Sequence, residues 1–372
     1  MTSFSTQGST PILDAVRFQG EVDGRPVALY TLRNTRGMVV CITNYGAKIE
    51  QILVPDRHGE LADVVLGYDS LQAVVGGSPS MGAFIGRYAG RIENAGFELD
   101  GQRYALGANN GSHCLHGGIK GSRLRVFNVL THSVSSVEMH MVFADGEEGF
   151  PGTLALSVRY RVTESNELVI NYEGVALDKL TVANFTTHGF FNLDGHASGS
   201  VLGHEVMICA DRHLGMTSDL IATGQVLDVA NTPFDFRQPT LLAARIHGEA
   251  AAGAVAGSRS DSVMGYDCCY VVDAATALDG LALCARVRAP QSGRTLEVWS
   301  TEPALQFYTG LAAGEPLAGG LGKEGAKYLQ QQSFCMEPQG YPNAPNLPQF
   351  PSACYLAGAP RSGQTVYRFG NS

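Results

Sequence analysis

The chain has 372 residues, of which 44% are hydrophobic and 16% charged, and its formal net charge is -9. This composition supplies a large apolar core and excludes an intrinsically disordered chain. The negative charge and the lack of a Lys/Arg run argue against nucleic-acid binding, and the lack of a long apolar stretch argues against a membrane span. No secretory pattern opens the sequence, so we predict a soluble, cytoplasmic protein.

Short alternating runs separated by glycine-containing turns recur along the chain. Two dipeptides, Asp23-Gly24 and Asp100-Gly101, lie between such runs and predict tight hairpin turns. Residues 154–162 place apolar side chains on one face, and after a polar turn residues 168–172 alternate again. This pattern predicts a long antiparallel hairpin.

Helical patterning is sparse. The two candidates are a turn at Ser70–Val75 and a helix at Pro239–His247, and the small, polar stretch Gly248–Ser262 predicts an exposed loop. No internal repeat or break in composition divides the chain. We therefore predict one all-β domain over residues 1–372, built from packed antiparallel sheets with few short helices.

The eight cysteines include no Cys-x-x-Cys pair, and the chain has no His-Glu-x-x-His motif. Neither a zinc ribbon nor a thioredoxin-like motif is therefore predicted. In a reducing compartment we expect the cysteines to be buried or half-buried thiols with a packing role.

Five segments break the alternation by gathering polar side chains among glycines or aromatics. An arginine fork can bind vicinal hydroxyls, an imidazole suits a general acid, and a partly buried carboxylate suits a base. Each residue also has an ordinary interpretation, as a surface arginine, a core histidine or a turn aspartate. The segments are Gly86–Ile92 with Arg87 and Arg91, His113–Gly118 with His116, Thr186–Leu193 with His188, Gly265–Asp267, and Phe334–Gln339 with Glu337.

In this order and spacing, the five segments resemble the aldose 1-epimerase (galactose mutarotase) family. Asn44–Ala47, Leu66–Tyr68 and Pro342–Asn346 extend the resemblance over nearly the whole chain. It implies a single β-supersandwich with a sugar-binding cleft, no cofactor and no metal. It also implies an isomerase that interconverts the α and β anomers of a free hexose, such as glucose or galactose, by acid/base ring opening and closing.

The resemblance carries residue roles onto matching positions of this chain. Glu337 matches the family's catalytic base and His188 its catalytic acid. Four further residues match positions that contact the sugar or lie beside it: Arg91, His116, Asp267 and Gln306.

Three positions, Gly90, Thr187 and Cys268, depart from residues common in the family, which leaves the preferred aldose open. A hexose-6-phosphate 1-epimerase and a non-catalytic carbohydrate-binding module are the rival interpretations. The first needs a cluster of basic residues for the phosphate, and the second needs no paired acid and base. A thiol enzyme built on Cys114 is disfavoured because neighbouring strand residues point apart. The sequence is compatible with a monomer or a homodimer.

Overall fold

The computed structural model describes residues 10–246, 265–273, 277–278, 280–311 and 315–372. Antiparallel strands joined by short turns make up most of its regular structure, which confirms the predicted all-β class. In chain order the strands are β1 (Gly20–Val22), β2 (Arg25–Val27), β3 (Leu29–Arg33), β4 (Val39–Thr43), β5 (Lys48–Pro55), β6 (Leu61–Asp63), β7 (Phe84–Ile85), β8 (Arg91–Ile92), β9 (Gly96–Leu99), β10 (Gln102–Ala105), β11 (Cys114–Leu115), β12 (Asn128–His132), β13 (Ser136–Phe143), β14 (Leu154–Val162), β15 (Glu167–Ala176), β16 (Thr181–Val182), β17 (Thr186–Thr187), β18 (Glu205–Ile208), β19 (Arg212–Met216), β20 (Ala222–Asp228), β21 (Thr240–Leu241), β22 (Asp267–Val271), β23 (Ala277–Leu278), β24 (Leu281–Arg288), β25 (Arg294–Ser300), β26 (Ala304–Tyr308), β27 (Pro316–Leu321), β28 (Lys327–Leu329), β29 (Cys335–Gln339), β30 (Cys354–Tyr355) and β31 (Pro360–Asn371).

Two short α-helices accompany the strands, α1 (Leu71–Gly76) and α2 (Leu242–Ile246). Ser70 begins α1 as its N-cap, since its side chain accepts a hydrogen bond from the Ala73 backbone N–H. Among the described residues, no helix is long and apolar enough to cross a membrane. Single 3-10 turns lie at Ala15–Phe18, Glu93–Ala95, Ser122–Leu124, Glu147–Gly149, Val201–Gly203, Lys323–Gly325 and Ala344–Asn346.

The helix predicted at Pro239–His247 is only partly present. Its first residues form β21, in which Thr240 and Leu241 pair with β18 at the edge of a large sheet. Sheet pairing therefore overrides the proline-initiated helix signal, and α2 begins three residues later than predicted. His247 and the predicted loop Gly248–Ser262 lie outside the described residues.

Three larger sheets form the framework. A ten-stranded sheet has the order β12-β13-β14-β15-β31-β25-β24-β18-β21, with β23 beside β24. A five-stranded sheet has the order β20-β19-β22-β26-β29, and a four-stranded sheet has the order β3-β4-β5-β6. The predicted hairpin is β14–β15, and residues at alternate positions of β14 are buried. Both Asp-Gly turns also form, with positive φ at Asp23 and Asp100.

The three sheets share one hydrophobic core. It contains Ile42 from the four-stranded sheet, Tyr160 and Val298 from the ten-stranded sheet, and Phe307 from the five-stranded sheet. Burial of this apolar surface supplies most of the stabilisation of such a fold, at roughly 25 cal/mol per Å². The eight cysteines are free, and all are buried or half-buried, as predicted.

A buried ion pair joins the four-stranded sheet to the segment between β27 and β28. The Nζ of Lys323 lies 2.6 Å from a carboxylate oxygen of Asp63, and the Lys323 side chain is 2% exposed. The same Nζ donates to the backbone carbonyls of Glu50 and Val65, so the ammonium group has three acceptors. This full set of partners offsets the cost of burying the charge.

We expect Lys323→Met to lower the free energy of unfolding by about 3–5 kcal/mol, because it leaves the Asp63 carboxylate buried without its counter-charge. The control is Lys120→Met, which removes an exposed pair with Asp23, and its cost should stay below about 1 kcal/mol. Urea denaturation of both variants measures the difference. Equal stability of the two variants would contradict this account.

Candidate active site

The five-stranded sheet places polar side chains on one face and apolar side chains on the other. The register sets Glu337 opposite Gln306 and Asp267 opposite Tyr308. Because opposite and alternate residues share a face, these four side chains lie on one surface. The intervening residues belong to the hydrophobic core: Cys268, Tyr270, Leu305, Phe307 and Met336.

A hollow of about 220 Å³ opens over this polar face. It is lined by polar and charged groups from β8, β22, β26 and β29 and from the segments after β11 and β17. The structure brings together all six residues that the sequence singled out. They are Arg91, His116, His188, Asp267, Gln306 and Glu337.

The His188 imidazole faces the Glu337 carboxylate inside the hollow. Its Nε2 lies 3.5 Å from Oε1 of Glu337, and the two residues are 7% and 2% exposed. The backbone of His188 donates to the carbonyl of Ala83, so the β7–β17 pairing fixes its position. Its ring stacks on Phe190 with a centroid separation of 5.0 Å, which shields one face from water.

Burial shifts the pKa of both groups towards their neutral forms. Desolvation raises the pKa of the Glu337 carboxyl well above its usual range, and the nearby Asp267 raises it further while Arg91 opposes the shift. Desolvation also lowers the pKa of His188 to about 3, and the Arg123 guanidinium acts in the same direction. An ionised Glu337 is therefore a stronger base than an ordinary carboxylate, and a protonated His188 is a stronger acid than an ordinary imidazolium.

His116 lies in the segment after β11 with φ at +54°. Its Nδ1 accepts a hydrogen bond from the Gly90 backbone N–H at 3.2 Å. Burial lowers the pKa of His116 well below 6.5, so the ring is neutral and its remaining nitrogen, Nε2, carries the proton. The ring centroid is 5.4 Å from that of His188, so His116 places a hydrogen-bond donor beside His188 and Glu337.

Arg91, Asp267 and Gln306 form a connected polar group in the hollow. Nη1 of Arg91 lies 3.8 Å from Oδ2 of Asp267, and the Gln306 amide donates to the same carboxylate. Nε of Arg91 donates to Asn110 at 2.9 Å, which orients the guanidinium. Burial raises the pKa of Asp267, while Arg91 and Gln306 oppose that shift. The arrangement offers both donors and acceptors to a polyhydroxyl ligand.

Arg87, which the sequence placed beside the pocket with Arg91, does not line the hollow. Its side chain is 1% exposed and donates to the Pro151 carbonyl and the Thr181 hydroxyl. Gly117, which follows His116, packs against the protein's own backbone. A Cβ at Gly117 would lie 2.7 Å from the backbone nitrogen of Arg87, so the close approach is to the protein's own chain.

The environment of Cys114 argues against a thiol enzyme. That residue is 1% exposed, it is not among the residues that line the hollow, and burial raises its pKa to about 12. A thiol with such a pKa is protonated and inert at neutral pH. His113 also lies outside the lining residues, and its Nε2 is 4.0 Å from a carboxylate oxygen of the exposed Asp219.

The model of the aldose 1-epimerase family matches residues 28–368. This chain belongs to the aldose 1-epimerase family. It is 38% identical over 330 residues to a galactose mutarotase of Bos taurus, covering 89% of this chain and 90% of that protein. It is 34% identical over 350 residues to an aldose 1-epimerase of Escherichia coli K12, covering 93% and 96% respectively. A crystal structure of an aldose epimerase homologue from C. elegans is similar in fold, with a TM-score of 0.82, 26% identity and coverage of 93% and 99%.

No sequence motif singled out several residues that adjoin the site. Tyr308 and Phe190 line the hollow as aromatic walls, although each resembles an ordinary strand or core residue in the sequence. Tyr308 is opposite Asp267 on the neighbouring strand, and this register places it in the site. The register becomes apparent only when the strand pairing is known. Cys335 is a further neighbour of His188 and Glu337 that the motifs did not indicate. Its Sγ lies within 4.8 Å of a ring nitrogen of His188 and of a carboxylate oxygen of Glu337.

Arg123 supports the site through contacts that no sequence motif predicts. It is 6% exposed and donates to three carbonyls of the segment that carries His116, those of Leu115, His116 and Gly118. Its guanidinium therefore replaces regular pairing in a segment whose positive φ angles prevent a normal strand. No local motif marks this role, because the contacts depend on how the chain turns back on itself.

We expect Arg123→Gln to loosen the segment 115–118, because buried carbonyls lose their donors at a cost of about 1–3 kcal/mol. Backbone amides there should exchange about tenfold to a hundredfold faster, while β14 and β15 are unchanged. The control is Arg125→Gln, since Arg125 contacts Glu147 and the Val142 carbonyl and makes none of the contacts of Arg123 to this segment. Hydrogen-exchange mass spectrometry measures the effect, and equal protection in both variants would refute the role.

Proposed function

We propose that this protein is an aldose 1-epimerase that interconverts the α and β anomers of a free hexose, with Glu337 as base and His188 as acid. The observation that carries the proposal is the 3.5 Å contact between these two side chains in a hollow of about 220 Å³. Membership of the family and the galactose mutarotase relatives support the reaction class. Galactose fits this class as a substrate.

The chemistry requires two proton transfers in each direction. In ring opening, Glu337 removes the proton of the anomeric hydroxyl while His188 protonates the ring oxygen, so the C1–O5 bond breaks and an aldehyde forms. Rotation about C1–C2 turns the other face of the aldehyde towards the ring oxygen. In closure, His188 takes the proton back and Glu337 protonates the carbonyl oxygen, which restores both groups.

The environment of the pair supports these roles. Burial makes the Glu337 carboxylate a stronger base and the His188 imidazolium a stronger acid. Ring opening moves one proton, through the sugar, from His188 to Glu337, and ring closure returns it. We assign to His116 a hydrogen bond from Nε2–H near the ring oxygen. Each positioned proton-transfer group contributes roughly 10²–10⁴-fold to the rate.

A neutral sugar fits the hollow better than a sugar phosphate. Among the described residues that line it, Arg91 is the one side chain with a permanent positive charge, and it already pairs with Asp267. A phosphate needs several uncompensated donors of the Arg or Lys type. We assign Arg91, Asp267 and Gln306 to the sugar hydroxyls.

We further propose that residues 1–372 form a single domain, because the core includes residues from all three large sheets. A cytoplasmic location is proposed on the sequence pattern, and the eight free cysteines are compatible with a reducing compartment.

Glu337→Gln and His188→Asn should each lower turnover by about 10²–10⁴-fold, because each removes one proton-transfer group. Polarimetry on freshly dissolved α-D-glucose or α-D-galactose measures turnover, and circular dichroism checks the fold. Undiminished turnover in both variants would remove the assignment. Sugar binding by the unaltered protein without faster mutarotation would instead favour a carbohydrate-binding module.

Arg91→Ala should raise KM more than it lowers kcat, because a hydroxyl contact of about 1–3 kcal/mol is lost in ground state and transition state alike. The same polarimetric assay over a range of sugar concentrations separates the two constants. The control is Arg17→Ala, which removes a guanidinium from an exposed pair with Asp69. A KM equal to that of the control would contradict a sugar-binding role for Arg91.

A further inference from the structure

The floor of the hollow holds three side chains with different metal-binding atoms. His188, Cys335 and Glu337 each direct one potential ligand atom to a common region, and these atoms all lie within 4.8 Å of one another. All three residues are buried, and among the described residues this is the one group of three histidine, cysteine or acidic side chains with such spacing. The mechanism proposed above uses the imidazole and the carboxylate but leaves the thiol without a task.

We propose that His188, Cys335 and Glu337 form a binding site for one Zn²⁺ ion, and that the bound ion inhibits the enzyme by occupying its base and its acid. The inhibition rests on the proposed function, whereas the binding of the ion does not. The ion is an inhibitor that competes with the sugar and has no part in the reaction.

The spacing of the atoms supports tetrahedral coordination. Bond lengths of 2.0–2.3 Å to nitrogen, oxygen and sulfur in a tetrahedral zinc site place neighbouring ligand atoms about 3.3–3.6 Å apart. The measured separation of Nε2 of His188 and Oε1 of Glu337 is 3.5 Å. The sulfur of Cys335, one nitrogen of His188 and one carboxylate oxygen of Glu337 lie within 4.8 Å of one another, so side-chain rotation is needed to bring all three to this spacing.

Strand geometry accounts for the position of the thiol. Cys335 precedes Glu337 by two residues on β29, so the two side chains project from the same face of the sheet. Tyr308 is opposite Cys335 on β26 and covers this end of the hollow. The thiol is fully buried beneath the lining residues, whereas His188 and Glu337 line the hollow itself. An ion that enters the hollow therefore meets nitrogen and oxygen first and sulfur beneath them.

The donor set and the charge select the class of ion. A thiolate and an imidazole favour Zn²⁺ over Mg²⁺ or Ca²⁺, which prefer oxygen ligands. Burial raises the pKa of the Cys335 thiol well above its usual value, as it does for Cys114, so the ion must displace the thiol proton. On binding, the Cys335 thiol and the Glu337 carboxyl each lose their proton to solvent, and sulfur and oxygen then bind the metal. The two negative ligands balance the 2+ charge of the ion, so the complex is neutral overall, as a site this deeply buried requires. A fourth coordination position faces the hollow and is open to water.

Co²⁺ tests the binding without any measurement of activity. When a thiolate binds Co²⁺, a charge-transfer band appears in the near ultraviolet. We expect this band for the unaltered protein and for Cys269→Ser, and its loss in Cys335→Ser. Cys269 is the matched control because it is a buried thiol on the same face of the same sheet. It lies on β22, opposite Gln306 of β26. A band that persists in Cys335→Ser would place the metal at another thiol and overturn the proposal.

Zn²⁺ inhibition tests the consequence. Polarimetry with chelator present first gives the metal-free rate, which should be similar for the unaltered protein, Cys335→Ser and Cys269→Ser. Added Zn²⁺ should then inhibit the unaltered protein and Cys269→Ser, and the inhibition constant should rise by at least roughly 10–100-fold in Cys335→Ser. Saturating galactose should relieve the inhibition, and chelator should reverse it.

Three outcomes of the inhibition assay would overturn the inference, and they differ from failure of the proposed function. Inhibition of equal strength in Cys335→Ser would assign the ion to other ligands, such as surface histidines. Inhibition that sugar does not relieve would place the ion outside the hollow, and absence of inhibition would contradict occupation of the acid and the base by the ion. If Cys335→Ser does not fold, Cys335→Ala replaces it. Failure of the proposed function would appear instead as no mutarotation by the unaltered protein in the presence of chelator.

Discussion

The contact between the Glu337 carboxylate and the His188 imidazole is the interaction on which the rest of the site depends. Both groups lie in a desolvated hollow, where each would be costly to charge alone. Their proximity lets one proton move between two sites of altered basicity without a change in the net charge of the pair. The surrounding residues then have two tasks, to keep water out and to hold a ligand within reach of both groups.

Three separate parts of the fold position the residues of the site. The antiparallel register of β22, β26 and β29 gathers the carboxylates and the Gln306 amide on one face and leaves the opposite face for the core. The short β7–β17 pairing brings in His188. Arg123 holds the segment of His116 through its carbonyls, where regular pairing is absent. Rigid strands therefore position Glu337 and His188, and the Arg123 side chain positions His116.

The same geometry underlies the zinc site that we propose. The 3.5 Å separation of Nε2 of His188 and Oε1 of Glu337 is also the spacing of two ligands of a zinc ion. Alternation along β29 adds the third ligand, since Cys335 shares the face of Glu337. Serine at that position would keep the strand and the reaction while weakening the site for zinc.

The sequence by itself determined the β class, the β14–β15 hairpin and both Asp-Gly turns, because alternation and turn chemistry act over a few residues. Through motif order it also named six residues that the structure gathers in one hollow. It did not determine that α2 begins after a short strand, that Arg87 is buried away from the hollow, or that Arg123 and Cys335 adjoin the site. Those facts depend on which strand lies beside which and on where a long side chain ends, and only the tertiary contacts between segments distant in the chain decide them.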